Sequence, residues 1–346
     1  MKAALLKEHG PASVLSIEEI PEPTPDTDEV AVAVRACGLN RLDIHIRNGL
    51  EGIRVPLPHI LGSDIAGELL TPSSDGRWAI GERVVIAPGV VCGACRRCLS
   101  GDDQLCSDFS VLGGYRLPGG YAEVVCVPSR NLVRIPPVLS FETAAALPVS
   151  YMTAWEMVVR QANVGSGDRV LVRSGSGGIG LACVKIASAM GAHVFATTSS
   201  PAKVDAIRAA GAETVLVSGS ARDVEKSLGR RTLDAVFDHV GTADLTDWFR
   251  LLCSGGCYSL CGASGAFDAR ADLRVVFSRS IRVLGSSLGR RVDFDSIVDR
   301  VAGGALAPLI DATYPLEDVR EAHEHLERGV IGKIVLSVNS GTARDS

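Results

Sequence analysis

Asp168-Arg-Val-Leu-Val-Arg-Ser-Gly-Ser-Gly-Gly-Ile-Gly-Leu-Ala-Cys-Val-Lys-Ile-Ala-Ser-Ala-Met-Gly-Ala-His-Val-Phe-Ala-Thr-Thr-Ser-Ser-Pro-Ala-Lys203 is the stretch on which the rest of the chain turns. Val170 to Val172 is a short apolar run bounded by polar residues and glycines, the pattern of a buried parallel strand. Gly175, Gly177 and Gly180 fit G-x-G-x-x-G, with Gly178 and Ile179 inside it. Leu181, Val184, Ile186, Ala187 and Met190 recur at roughly helical spacing, and Gly191 can cap the helix end. His193 to Thr197 reads as the next strand.

A glycine-rich turn alone says little. Between a strand and a helix, with a second strand at the right distance, it predicts a dinucleotide site. The glycines allow a tight turn and close backbone approach to a pyrophosphate. The helix starting near Gly178 aims unpaired N–H groups and its positive dipole end at that anion.

The end of the second strand bears on which dinucleotide is taken. An NAD site places a carboxylate there to accept from the ribose 2′-OH. This chain has Thr198, Ser199 and Ser200, with Lys203 one helical turn on. Hydroxyls and a cation suit a 2′-phosphate, so NADPH is the expected cofactor. Ser199 or Ser200 capping the helix that Pro201 begins is a compatible structural role.

The 346 residues suit two domains, and the net charge of −5 with no basic run argues against nucleic-acid or anionic-membrane partners. No apolar run is long enough for a membrane span, and the N-terminal residues do not read as a signal peptide; a cytoplasmic protein is expected. Of ten cysteines, Cys37, Cys126, Cys183, Cys253, Cys257 and Cys261 are scattered, mostly on apolar segments, as buried small hydrophobes would be.

The remaining four are Cys92, Cys95, Cys98 and Cys106, spaced C-x2-C-x2-C-x7-C. Four thiolates make a closed tetrahedral set for one structural Zn²⁺ with no position open to substrate. An Fe–S cluster or a redox disulfide pair are the alternatives. Bound zinc would pin a loop too poor in apolar residues to hold itself.

Along the chain, Ser13–Ile20 and Glu29–Val34 read as strands separated by the proline-rich 21–25, an all-β start. Residues 37–49 form a short helical turn carrying Asn40, Asp43 and His45, with Asn40 and Asp43 on one face. They are candidate substrate or nicotinamide contacts, although Asp43 and His45 could equally bond only nearby backbone. Gly119–Pro128 reads as a closing β segment, and Ser140–Val159 as helix with Ser140 as its cap. Leu233–Asp238, Gly256–Gly262 and Arg282–Gly289 are further strands, with helices near Leu245–Leu252, Phe294–Gly303 and Glu317–Gly329, and Gly332–Val338 closes the set. Ligands of open parallel sheets bind beyond the carboxyl ends of strands, which places Val240, Cys261, Gly262, Ala263, Ser287 and Leu288 on the cofactor side. The small, polar residues after Asn339 are expected to fray.

Together the four-cysteine lobe, Gly119-Gly-Tyr-Ala-Glu, the coenzyme fingerprint and the closing Gly332-Lys-Ile-Val-Leu resemble the medium-chain dehydrogenase/reductase superfamily over nearly the whole chain. The resemblance implies an α/β fold: a GroES-like β-rich catalytic domain from 1–150 and 288–346, with the zinc lobe at 88–112, and a Rossmann doubly wound parallel sheet from 151–287. In the family's zinc alcohol dehydrogenases a catalytic zinc is held at three positions that here carry Asn40, Ser63 and Val149, so the structural site remains and the catalytic one is lost. That pattern is similar to the quinone oxidoreductase and enone reductase branch. It implies hydride transfer from NADPH to a quinone or to the β-carbon of an α,β-unsaturated carbonyl. Without a Lewis acid, hydrogen bonds must stabilise the oxyanion. Asn40 is the first candidate for the carbonyl or the nicotinamide ribose, and His45 for a proton donor in place of solvent. By the same resemblance Lys333 reaches the pyrophosphate, Thr153 lies near the nicotinamide, Ser287 and Leu288 offer backbone to its carboxamide, and the chain forms a homodimer through the Rossmann sheet edge. Two other readings remain: an alcohol dehydrogenase with a displaced metal on Asp64 and His45 or His59, and a non-catalytic NADPH-binding sensor or accessory protein.

Overall fold

The computed structural model describes residues 1–50 and 52–338; the tail expected to fray lies outside them. The chain divides into two compact units, Met1–Val149 with Arg290–Ser346, and Ser150–Gly289.

The second unit is built on a six-stranded parallel sheet. Across it the order runs Thr214–Val217, His193–Thr198, Arg169–Val172, Leu233–Asp238, Leu252–Leu260, Arg282–Gly285. Val170 pairs with Val194 on one side and Ala235 on the other. The strand order therefore reverses beside Arg169–Val172, the place where open α/β sheets leave a crevice at their carboxyl edge. Val170, Leu171 and Val172 have no exposure, because helices cover both faces of such a sheet. The helix Gly178–Ala189 buries Leu181, Ala182, Cys183, Val184, Ile186 and Ala187, which its nearly all-round apolar sequence requires.

The first unit is β-rich. Its largest sheet runs Leu132–Arg134, Arg83–Ile86, Asp64–Leu69, Glu29–Gly38, Lys333–Ser337, Ile310–Pro315, and Val124–Pro128 also pairs with Glu29–Gly38. The central strand is longer than its alternating sequence predicts and continues through Arg35–Gly38. Both flanks hold it there: Gly38 pairs with Asp64 on one side and Val335 on the other. A Cβ at Gly38 would stand 2.4 Å from the carbonyl oxygen of Ala145, so only glycine lets the helix Phe141–Ala145 approach this closely. A smaller sheet joins Leu15–Glu19, Lys2–Leu6 and His59–Ile60.

The expected helix 140–159 is broken. Phe141–Ala145, capped by Ser140 Oγ accepting from Thr143 N at 3.1 Å, ends before Pro148 starts a second helix, Pro148–Trp155, and a π-helical turn follows over Glu156–Gln161. Proline lacks the N–H that a continuous helix needs. The β segment expected over Gly119–Pro128 is strand only from Val124, since Gly119–Tyr121 bonds irregularly to the backbone of Ile60–Gly62.

Candidate active site

In the parallel-sheet unit the glycine loop has the geometry a dinucleotide needs. A Cβ on Gly180 would meet Ser174 O at 2.4 Å, and one on Gly175 would meet Ala196 Cβ at 3.0 Å, so these two glycines serve close packing of the loop. Gly177 differs, because its added Cβ finds nothing nearer than His239 Cε1 at 3.8 Å. No protein atom crowds that position, which leaves room for the phosphate that the motif predicts. No side chain caps the helix that follows, so the N–H groups of its first turn, including Gly178, Ile179 and Gly180, face this open cradle. Ser174 holds φ +53°, with its N–H bonded to Thr197 Oγ1 at 3.0 Å and its carbonyl 3.0 Å from His239 Nε2. The residues fit a dinucleotide pyrophosphate.

At the end of the neighbouring strand the Thr198 hydroxyl is buried and accepts from Ser200 N at 3.3 Å. Ser199 is exposed, Ser200 and Lys203 half-buried. Ser200 stands at the N-cap of the turn Pro201–Lys203, but its side chain makes no capping bond. The capping role the sequence allowed for it is thus not used, and no carboxylate occupies positions 198–200.

The other predicted cofactor positions of this unit lie on its sheet's carboxyl edge or on the helix Pro148–Trp155. Val240, Cys261, Gly262, Ala263, Ser287 and Leu288 all follow strand ends, and Thr153 is a buried residue of the helix. Asp238, which sequence reasoning passed over, organises this edge. Its Oδ1 accepts from Val240 N at 2.9 Å and Gly241 N at 3.0 Å, and its Oδ2 accepts from Arg173 and Tyr258. Burial alone would raise this carboxyl; Arg173, Tyr258 and the two N–H groups outweigh it and hold it below its usual value.

In the other unit the four cysteine sulfurs converge as the sequence predicts. Cys92–Cys98, Cys95–Cys98, Cys95–Cys106 and Cys92–Cys106 are 3.8, 3.5, 3.9 and 3.6 Å apart. With zinc–sulfur bonds near 2.3 Å, a tetrahedron has edges of about 3.8 Å, so the donor set fits one zinc ion. The backbone N–H groups of Ala94 and Cys95 draw the Cys92 thiol down, while burial and the neighbouring Cys95 thiol push Cys98 up. Among the described residues this is the only group of three or more His, Cys, Asp or Glu side chains placed to hold a metal.

The positions expected to have lost a catalytic zinc do come together, around a carboxylate. Asp64 Oδ1 accepts from Val149 N at 2.7 Å, and Asp64 Oδ2 accepts from Asn40 Nδ2 at 3.0 Å and Lys333 Nζ at 2.7 Å. Lys333 Nζ also donates to Asn40 Oδ1 at 2.7 Å and Leu39 O at 2.6 Å. Ser63 Oγ, between them in sequence, is fully buried with no partner, as is His59 Nε2. One carboxylate already taken by three donors, beside an amide, a hydroxyl, an aliphatic side chain and an ammonium, is no ligand set for Zn²⁺, so a catalytic zinc does not fit here.

Lys333 spends its three donors on protein oxygens of its own unit, in a side chain only 4% exposed. Asp43 is an internal strut, fully buried, accepting from Asn40 N at 2.7 Å, Gly62 N at 3.2 Å and Tyr121 OH at 3.1 Å. Burial pushes its carboxyl up to about 6 against these donors and Lys333. His45, on the helix Arg41–Asn48, is half-buried, and burial together with Arg41 holds its imidazole below the usual range.

A glycine phosphate cradle on a doubly wound sheet, with a zinc-stapled β-rich unit, defines a nucleotide-dependent oxidoreductase. Comparison with known proteins gives the family. The alcohol dehydrogenase GroES-like domain matches residues 26–137 and the zinc-binding dehydrogenase family residues 178–303. The chain is 28% identical to a quinone oxidoreductase of Lama guanicoe, with 97% of each chain covered. It is 30% identical to an NAD-dependent alcohol dehydrogenase of Sulfolobus acidocaldarius, with 98% of this chain and all 100% of that one covered. A crystal structure of an NAD-dependent alcohol dehydrogenase superposes with a TM-score of 0.90 at 37% identity, over 98% of this chain and 100% of the other. The chain belongs to the medium-chain dehydrogenase/reductase superfamily. No helix among the described residues is long and apolar enough to cross a membrane.

Proposed function

We propose that this protein is an NADPH-dependent reductase that transfers hydride to a quinone or to the β-carbon of an α,β-unsaturated carbonyl, without a catalytic zinc. The observation that carries the reading is the convergence of Asn40 and the Val149 backbone on the Asp64–Lys333 ion pair in place of a metal. The nicotinamide, when bound, supplies the reducing equivalent. The glycine cradle Gly175–Gly180 holds its pyrophosphate, and Thr198, Ser199, Ser200 and Lys203 favour a 2′-phosphate over a free hydroxyl. Thr153, Val240, Cys261, Gly262, Ala263, Ser287 and Leu288 serve the nicotinamide half. Asn40 donates to the substrate oxygen as negative charge develops there. The enolate then takes its proton at the α-carbon from His45 or from water. The protein acts as a homodimer, a state supported by the exposed edge strand Arg282–Gly285 and by Leu273 and Phe277 in the same unit, 70% and 73% exposed.

The alcohol dehydrogenases among its relatives favour a second reading, oxidation of an alcohol with NAD. The test follows NADPH consumption with a simple quinone and with a 2-alkenone, each with and without a mild chelator. Turnover insensitive to chelation, with the saturated carbonyl or the hydroquinone as product, supports the proposal. Alcohol formation from the alkenone, or loss of activity on chelation with folding intact, favours the second reading.

A further inference from the structure

Asn40 is held more tightly than a substrate-binding amide in a loop would be. It sits where the strand Glu29–Gly38 passes into the helix Arg41–Asn48. The sheet register places Asp64 beside Gly38 on one flank, and the closing strand from Lys333 on the other, with Leu39 N donating to Ile334 O at 2.9 Å. Two chain-distant charges are thereby brought to the two ends of one amide. The ammonium can only donate, so Oδ1 must face Lys333; the carboxylate can only accept, so Nδ2 must face Asp64. A flipped amide would set Nδ2 against the ammonium and Oδ1 against the carboxylate, with all partners buried.

We propose that Asp64 and Lys333 act as a paired clamp that fixes the Asn40 side-chain amide in one orientation, which makes Lys333 a positioning residue and not a phosphate ligand. Oδ1 also accepts from the Asp43 backbone N–H in the capping box of the helix Arg41–Asn48, so the clamp leaves Asn40 one pre-aimed Nδ2 hydrogen. Its link to catalysis rests on the reading above, in which Asn40 meets the substrate oxygen. Preorganisation is what it adds: an amide free to flip would present the wrong atom for part of the time and pay for reordering on each turnover.

The experiment uses the full-length zinc-loaded protein and the variants Asn40→Ala, Lys333→Met, the double Asn40→Ala/Lys333→Met, and Asp64→Asn/Lys333→Met. The last removes the Asp64 and Lys333 charges together, so that Asp64 is not left as an unpaired ion if Lys333→Met alone folds poorly. Three readouts apply. In NADPH titration by fluorescence, Lys333→Met should keep its Kd within about twofold of wild type; a rise of about tenfold or more, relieved by no other change, would make Lys333 a phosphate ligand and overturn the proposal. With whichever acceptor turns over, Asn40→Ala and Lys333→Met should each lower kcat by about tenfold or more, and the double variant should be no slower than Asn40→Ala alone. Losses that multiply would mean that Lys333 acts independently of Asn40. The third readout needs no substrate: the Asn40 side-chain amide protons, identified by NMR through their loss in Asn40→Ala, should be protected from solvent exchange in wild type and lose that protection in both Lys333→Met variants. Unprotected protons in wild type would sink the clamp. A wild-type enzyme that reduces neither acceptor refutes the proposed reaction instead, and leaves the NADPH and NMR readouts to judge the clamp.

Discussion

Gly177 and Gly180 are two residues of one motif, and the structure assigns them opposite reasons for being glycine. Gly180→Ala puts a methyl 2.4 Å from Ser174 O and 3.0 Å from Gly175 C, both backbone atoms that no side-chain rotation can clear. The loop must move, and overpacking of this kind costs about 2 kcal/mol. At about 2–4 °C per kcal/mol for a domain of this size, melting should fall by about 4–8 °C. Gly177→Ala has room, with φ −77° and 3.8 Å to the nearest atom. Its only structural penalty is alanine at a helix N-cap, under about 1 kcal/mol. That methyl does stand in the cradle where a pyrophosphate must approach backbone, so NADPH affinity should fall by about tenfold or more, about 1.4 kcal/mol or greater. Thermal melting without cofactor, then NADPH fluorescence titration, separates the two variants. Gly177→Ala binding NADPH like wild type, or melting as far down as Gly180→Ala, would refute the assignment of the open glycine face to the phosphates.

Other predictions follow from the remaining geometry. Metal analysis should find one zinc per chain, and Cys98→Ser should lose it together with stability, since the lobe between the paired strands Gly89–Val90 and Ser110–Val111 has no apolar core of its own. Ser199→Asp, placing a carboxylate at the end of the strand His193–Thr198, should weaken NADPH binding about tenfold or more and spare NADH; equal binding of both by wild type and variant would reject the 2′-phosphate reading. His323, buried and 3.2 Å from Arg47 Nη1, is driven down to about 3 by burial first and Arg47 second. Its folded value lies below the unfolded one near 6.5, so its neutral form supports the fold above that pH, and stability drains away as pH falls toward about 3. His323→Gln keeps an acceptor for Arg47 without a titrating group, and urea unfolding at pH 7 and pH 5 should show wild type losing on the order of 2 kcal/mol more than the variant. Asp43, raised to about 6, pulls the other way between its unfolded value and that pH, but does so in both proteins, so the difference isolates His323.

The two halves of the chemistry differ in how far apart their parts lie along the chain. The phosphate cradle and the zinc set are contiguous, and each can be assembled from a short segment. The Asp64–Lys333 cluster draws on Leu39–Asn40, Asp64, Val149 and Lys333. The buried Asp64 carboxylate needs a counter-charge, and Lys333 supplies it.

The features legible along the chain are those that local chemistry enforces. The run Val170–Val172, the glycines after it and the apolar helix behind them specify a strand–turn–helix unit, because periodicity and backbone freedom are properties of neighbouring residues. Cys92, Cys95, Cys98 and Cys106 mark a metal site for the same reason: four thiolates within one loop can converge with little help from the rest of the fold. The absence of zinc ligands at Asn40, Ser63 and Val149 was also legible, since loss of a donor type needs no coordinates. Which oxygens Lys333 meets depends on the fold: the pairing of its strand with Glu29–Gly38 carries it to Asn40 and Asp64, 293 and 269 residues away in sequence. Asp43 became an internal strut and Asp238 the pin of the loop at Val240 and Gly241 in the same way. A buried polar group must find partners, and which ones it finds depends on strand register across the whole chain, which no local pattern encodes.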